Sequence, residues 1–468
     1  MPRFNFYLIF GAFLAYVLTS GVTLRDRLLI STLNRIERNA YVCPTAKDLF
    51  EGAMSGLVDV LEEYGDEYSS YIPSGWQAHY LDKVNNRYEG FGISIRLYED
   101  GEKKAVYISY PLFDSHAYRQ GLRSGDQILQ IDGVPVANFT DIEDVKKSKG
   151  EGKREFCLSV LPFGQTEPKE FSLHLEKLHF DSVEGDYRDT DGQQVFCLET
   201  HPRVGYIRIT SFTETTAEEF GIALDRMMHS GAESFILDLR DNGGGDVWNC
   251  VQIARMLLSP DSERNVIVSV QSRNGSKRSW TLNQGTQRCS LPMAVLIDGE
   301  TASSSEILAA ALQDYRRATI VGTRSFGKGV IQGVITLPFQ SGILQLTDSE
   351  YRRPGGGAIH RKQNAEDSDE WGIIPDVTIE FSESERAAVL QYRSLYSNVI
   401  SSERLAVLGQ FRKEIIAEQE GEFEYTGMAP YYDAQLDQAI DIVSSREQAQ
   451  KNGRTNSQHM SDAALASR

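Results

Sequence analysis

The sequence predicts an α/β fold carrying a second, strand-rich module and helical flanks. Three observations carry the prediction. Ser234–Arg240 and Met293–Asp298 are almost wholly apolar, as strands of a sheet covered on both faces are. Helical spacing stands beside them, over Ala217–His229 and through Val251, Ala254 and Leu258. From Arg87 to Lys177, short alternating runs and glycine turns replace that spacing. Strand and helix in alternation put an active site at the strands' C-terminal ends.

Taken in order, the chain opens on Phe6–Leu24, 19 residues without a charge, between Arg3 and Arg25-Asp26-Arg27. About 20 apolar residues cross a bilayer, whereas a cleaved signal has a shorter apolar run and a small-residue site. Thr19-Ser20-Gly21 offers only a weak cleavage site, so residues 1–27 are expected to anchor the chain or export it. The body would then lie outside the cytoplasm, periplasmic or otherwise extracytoplasmic, at a membrane. Residues 28–86 read as helical, with Leu49, Ala53, Gly56, Leu57 and Val60 on one face and Tyr64–Pro73 breaking the pattern.

Residues 87–177 hold Gly121-Leu122-Arg123-Ser124-Gly125-Asp126-Gln127-Ile128-Leu129-Gln130-Ile131-Asp132-Gly133. This run resembles a PDZ domain of the protease-associated kind. The resemblance implies a small β-barrel with helices that adds a peptide as an extra strand and caps its carboxylate with backbone N–H groups. Phe91, Gly92, Ile93 and Ser94 would form that carboxylate loop, Gly92 allowing close backbone approach. A glycine-rich barrel without a ligand is the alternative. Residues 178–381 form the expected α/β core, 382–447 a charged helical segment, and 448–468 a polar tail expected to be disordered.

Composition removes several function classes. The 468 residues suffice for about two to four domains. A net charge of −18 disfavours a phosphate-backbone binder, which needs a basic footprint, so no nucleic-acid partner is expected. The five cysteines are scattered, odd in number and without Cys-x-x-Cys, and there is no His-Glu-x-x-His, so neither metal nor other cofactor is expected.

The chemistry concentrates in Asp298–Gln332. Ser303-x-x-Glu306 is a capping-box pattern opening a helix with Ile307, Ala311 and Tyr315 on one face. A helix start also favours developing negative charge, so cap and nucleophile are compatible. Gly322-x-x-x-x-Gly327-Lys328 nearly spells a P-loop, but Gly329 stands where Ser or Thr must bind magnesium, and a strand-like run follows. Nucleotide binding fails on both counts.

Lys328 stands 25 residues after Ser303, in Phe326-Gly327-Lys328-Gly329, and Gln332 four residues after Lys328. With this register, the Asp238–Gly244 segment, Trp371–Val377 and the PDZ-like module, the chain resembles the C-terminal processing peptidases, or tail-specific proteases, over about Phe50–Val377. The resemblance implies a crotonase/ClpP-like α/β protease core with an inserted PDZ domain. It implies a serine endopeptidase with Ser303 as nucleophile, Lys328 as base and Gln332 orienting the lysine amine. A serine hydroxyl needs an adjacent base, and a lysine serves only when neutral, which burial promotes. The backbone amides of Ser304 and Gly244 are the candidate oxyanion donors. Substrates would be proteins or peptides with free C-termini, captured by the PDZ module, whose position can gate the site in the family; a homo-oligomer is compatible with the sequence. One departure is visible: the family's alternating Ser-Ala-Ser-Ala-Ser-Glu is Thr301-Ala302-Ser303-Ser304-Ser305-Glu306, which leaves Ser305 as the alternative nucleophile. A catalytically silent PDZ scaffold and a crotonase-like acyl-transfer enzyme are the alternative functions.

Overall fold

The computed structural model describes residues 23–42, 44–84, 88–100, 103–123, 125–136, 154–178, 180–260, 264–366, 368–382, 385–386, 389, 393 and 433–445. The expected anchor lies outside the described residues except for its last few positions, and the tail at 448–468 lies outside them altogether. Among the described residues, no helix is long and apolar enough to cross a membrane. The chain divides into two compact units, Met1–Ala78 with Gln332–Thr347, and His79–Ile331 with Asp348–Arg468.

In the first unit, helices Leu24–Asn39 and Ala46–Glu63 are each opened by a threonine capping box, Thr23 with Asp26 and Thr45 with Asp48. The helical reading of this region omits one element: Ser70–Ile72 is a strand, paired antiparallel with Ile343–Gln345. Its partner is so distant in sequence that no local pattern announces it.

In the second unit, the Gly121–Gly133 motif folds as a staple for an antiparallel sheet. Helix His116–Gln120 ends on Gly121 in the left-handed region, and Leu122 drops into a core with Val106, Ile108, Ile128 and Val160. The buried Asp126 carboxylate accepts the Arg123 N–H at 2.9 Å and the Phe163 N–H at 2.9 Å, closing the turn. The expected barrel is an open path of pairings among the described residues, running through Ile93–Asp100, Lys103–Pro111, Gln127–Ile131, Glu155–Leu161 and Lys169–His174.

The α/β core is a six-stranded sheet in sequential order: β1 (Val183–Glu184), β2 (Val204–Ile209), β3 (Ser234–Asp238), β4 (Met293–Ile297), β5 (Thr319–Gly322) and β6 (Val377–Thr378). Only β1 is antiparallel to its neighbour. Helices α1 (Thr216–His229), α2 (Val247–Leu257) and α3 (Ser304–Asp314) supply crossovers between successive strands. Alternate residues serve the two faces. Ile207, Phe235, Leu237, Val295 and Ile320 pack with the three helices, while Tyr206, Ile236, Leu296 and Val321 pack with Leu436, Ala439, Ile440 and Val443 of a helix at 434–445. That double covering is why β4 is apolar throughout and β3 is apolar from Phe235 to Leu237. Helix α3 is buried on all sides from Ser304 to Leu312, not on one face, because α2 and the strand Val266–Ser272 enclose it with the sheet.

Candidate active site

Two loops leave the C-terminal ends of β3 and β4 and are tied to each other. Asn242, fully buried, is the central tie: its carbonyl accepts the Ala302 N–H at 3.0 Å and the Ser305 hydroxyl at 2.9 Å. Its side chain donates to the Ile209 carbonyl and accepts the Gly244 N–H at 2.9 Å. Thr301 Oγ1 donates to the Leu239 carbonyl at 2.8 Å, and Ser304 Oγ to the Gly245 carbonyl at 2.8 Å. Both positions that depart from the family's serine pattern thus carry hydroxyls spent on joining the loops.

Among the three adjacent serines, Ser304 and Ser305 are buried with hydroxyls bonded to carbonyls, whereas Ser303 is half-buried. Ser303 has φ 56° and ψ −115°, a sparsely populated conformation for a residue with a Cβ. Such strain at a helix start re-aims the side chain and is held by its surroundings. Gly244, with φ 97°, is part of that hold: a Cβ there would stand 2.8 Å from both the Ala302 carbonyl oxygen and Ser303 Cβ. Only glycine lets the turn approach Ser303 this closely.

The Phe326–Gly329 loop is pinned equally hard. A Cβ on Gly327 would meet Arg361 Cβ and Trp371 Cε3 below 3 Å, and one on Gly329 would meet the His360 backbone at 2.2 Å. Trp371 itself is clamped between the guanidinium groups of Arg324 and Arg361, 3.6 and 4.4 Å from its ring centre.

Glu306 connects these parts, and sequence reasoning gave it only a capping role. Its carboxylate is fully buried and accepts four bonds: Ser325 Oγ at 2.6 Å and Gly327 N at 2.7 Å on Oε1, Lys328 N at 2.8 Å and Ser303 N at 2.9 Å on Oε2. One oxygen atom therefore holds the backbone of Ser303 and of Lys328, which are no further apart than these two bonds together. The missed signal is the unbroken apolar run Ile307–Leu312 directly after Glu306, which marks a helix buried on every side, and a buried charge requires partners.

Burial pushes the Glu306 carboxyl up to about 7, against the pull of its four donors. Burial lowers the Lys328 amine from its ordinary value, with the Glu306 charge acting in the opposite direction. Lys328 is half-buried on its loop.

The other predicted residues fall as follows. The Gly244 N–H is engaged by Asn242 Oδ1, so it is not an open donor in this state. Ser304 opens α3 with its amide at the helix start. Gln332 lies on the strand Val330–Thr336 in the first unit, where its amide donates to Thr347 Oγ1 at 3.3 Å and Thr347 Oγ1 donates to Asp66 Oδ1 at 2.8 Å. In the strand-rich module, Phe91 is buried edge-to-face on Phe156, and Ile93 and Ser94 begin the strand paired with Pro111 and Tyr110. Gly92, at φ 70°, packs so tightly on Ser115 that a Cβ would lie 2.3 Å from Ser115 Cβ.

Residues 203–379 match the model of peptidase family S41, and residues 82–161 match that of the PDZ domain. A carboxyl-terminal-processing protease of Synechocystis sp. is 34% identical over 308 residues, covering 65% of this chain and 67% of that protein. The chain belongs to peptidase family S41. This S41 chain is a serine-type peptidase carrying a PDZ domain. A carboxy-terminal processing protease of Bacillus subtilis is 28% identical over 356 residues, 76% of this S41 chain and 68% of that protein. A solved photosystem II D1 C-terminal processing protease is 23% identical with a TM-score of 0.43, spanning 77% of this S41 chain and 94% of that one.

A cavity of about 690 Å³ lies between the PDZ sheet and the core, lined among others by Leu112, Phe113, Ser115, Val183, Phe196 and Thr210. It does not contain Ser303 or Lys328. Thr210 nonetheless stands two residues before Phe212, whose N–H donates to the Gly244 carbonyl at 2.9 Å.

Proposed function

We propose that this peptidase cleaves protein substrates near their C-termini with a Ser303–Lys328 dyad. The observation that carries the reading is the single Glu306 oxygen bonded to the backbone of both residues. Neutral Lys328 takes the Ser303 hydroxyl proton as the oxygen attacks the scissile carbonyl, then returns it to the leaving amine. Burial supports the lysine in that role by favouring its neutral form. Ser305 is set aside as nucleophile because its buried hydroxyl is bonded to the Asn242 carbonyl.

The Ser304 amide is one oxyanion donor. The Gly244 amide is the second, and it must exchange Asn242 Oδ1 for the substrate oxygen, so oxyanion binding competes with an existing bond. Gln332 would orient the lysine amine. The Phe91–Ser94 loop would take the substrate carboxylate. The sequential parallel order of β2 to β6 is in keeping with a crotonase/ClpP-like core. Export with residues 1–27 as anchor or signal completes the reading; recovery of the chain in the cytoplasmic fraction alone, with none in the membrane or the exported fraction, would sink that part.

The test is mass spectrometry of products from a tagged polypeptide with a free or an amidated C-terminus. Ser303→Ala and Lys328→Ala should abolish cleavage, and amidation should slow it. Cleavage surviving in either variant refutes the dyad, and equal rates on the two substrates refute carboxylate capture.

A further inference from the structure

Arg240 follows β3 by two residues and leads directly into Asp241 and Asn242, the residues that set the Gly243–Gly244 turn. Its guanidinium is buried and all five N–H groups are occupied. Nε and one Nη2 hydrogen go to Asp238, at 3.0 and 2.7 Å. The remaining three go to residues nearly 200 positions later: Nη2 to Asp433 Oδ2 at 2.8 Å, Nη1 to Asp433 Oδ1 at 2.9 Å and Nη1 to Gln435 Oε1 at 3.1 Å. Asp433 is 5% exposed and stands at the head of the helix 434–445, where it also accepts the Leu436 N–H at 2.9 Å. A planar guanidinium held bidentately on two sides is fixed in position and in plane.

The fixed side chain bears on the site through two short steps. Asp241, the next residue, has φ 59°, so the backbone leaves Arg240 through a strained conformation that its surroundings must enforce. Asn242 then holds Ala302, Ser305 and Gly244. From the same C-terminal part of the chain, Arg386 reaches both loops independently, with Nε on Asp298 Oδ2 at 3.0 Å and Nη2 on Asp241 Oδ1 at 3.2 Å.

We propose that Asp433 is a positioning residue of the peptidase site: by completing the Arg240 fork from the C-terminal helix, it sets the Asp241–Gly244 turn against Ser303. The proposal rests on the reading of Ser303 as nucleophile and of that turn as oxyanion donor. Without the Asp433 charge, a buried guanidinium loses its second carboxylate and the backbone beside it relaxes. Substrate capture by the PDZ domain has no part in this contact, so the loss falls on the chemical step.

The test compares Asp433→Asn, Asp433→Glu and Asp225→Asn in the full chain, on a peptide ending in a free carboxylate. Asp225 pairs with Arg288 on the surface and serves as control. Asp433→Asn should lower kcat about ten- to a hundredfold with KM within about twofold, since small misplacements at a reacting centre cost that much. Affinity for a matched peptide aldehyde, whose adduct needs the same oxyanion amides, should fall in proportion. Asp433→Glu should recover part of the loss, and Asp225→Asn should show none.

Unchanged kcat per folded molecule in Asp433→Asn overturns the proposal, as does a fall in kcat that leaves aldehyde affinity intact. Should Asp433→Asn not fold, Gln435→Met removes one acceptor from Arg240, together with the donor to the Ile379 carbonyl, and leaves the charge pair; a kcat loss of about two- to fivefold is expected there, on the scale of one hydrogen bond, and none overturns the proposal. Ser303→Ala is run in the same series. Activity surviving in it removes the reading beneath the proposal, whereas activity lost there but intact in Asp433→Asn removes the proposal alone.

Discussion

Replacing Glu306 with glutamine separates the charge at the centre of the site from its shape. The carboxylate accepts two donors on each oxygen, at 2.6 and 2.7 Å on Oε1 and 2.8 and 2.9 Å on Oε2. An amide offers one acceptor oxygen and turns an NH2 toward the other pair, so two bonds fail in either orientation. Bonds to a charged acceptor contribute about 1.5–3 kcal/mol each, giving about 3–6 kcal/mol lost. Opposing this, a carboxyl raised to about 7 carries a cost when ionised of about 3 kcal/mol above neutral pH, and glutamine removes it. The two effects oppose each other, so the glutamine variant should stay folded at pH 8. Activity should fall as well, by about tenfold or more, because one orientation takes the shared acceptor from Ser303 and Lys328 and the other takes the acceptor of Gly327 beside Lys328.

The sign of the pH effect is fixed by the raised folded value. The contribution of protonated Glu306 to stability is fully present below about 4.5, the unfolded value, and is lost as pH rises through about 7. Urea melts at pH 5 and pH 8, paired with peptide hydrolysis, test both parts. The variant should show a smaller fall in stability between these pH values than the native chain. A Glu306→Gln enzyme with native kcat, or with the native pH slope, refutes the reasoning.

Other perturbations follow from the same geometry. Gly244→Ala should reduce kcat by at least a hundredfold while the chain stays folded, because its Cβ would press on Ser303 at a φ that side chains avoid; measured kcat within about threefold of native contradicts the close approach. The kcat of the native enzyme should rise with pH as Lys328 deprotonates, with an apparent midpoint below the ordinary lysine value of 10.5; a flat profile from pH 6 to 10 speaks against a lysine base. Gly92→Ala should raise KM for substrates with a free C-terminus and leave the peptidase core folded, since Ser115 blocks a Cβ there; an unchanged KM removes the loop from substrate capture.

Much of this molecule was legible from local pattern. The apolar runs of β3 and β4 were readable because each strand is covered on both faces, and the Gly121–Gly133 motif because every turn in it needs a specific residue. The spacing of Ser303 and Lys328 identified the family without showing how the two residues meet. What joins them is Glu306, which looked like a helix cap because its second set of partners, Ser325 to Lys328, lies across a helix and a strand. Asn242 was hidden for the same reason: its bonds run to Ile209, Ala302 and Ser305 on three other elements. The Arg240–Asp433 pair was beyond reach, since an ion pair between distant positions leaves no periodicity. Strand Ser70–Ile72 escaped because three residues give no alternation to count.

The most direct test of the Ser303–Lys328 assignment is mapping of the covalent adduct formed with a fluorophosphonate, which phosphonylates an activated serine and releases fluoride. In the native chain, peptide mass spectrometry should place the adduct on Ser303, with labelling that speeds up as pH rises and is lost in Lys328→Ala. An adduct on Ser304 or Ser305, or labelling of Ser303 at the native rate in Lys328→Ala, would contradict the account.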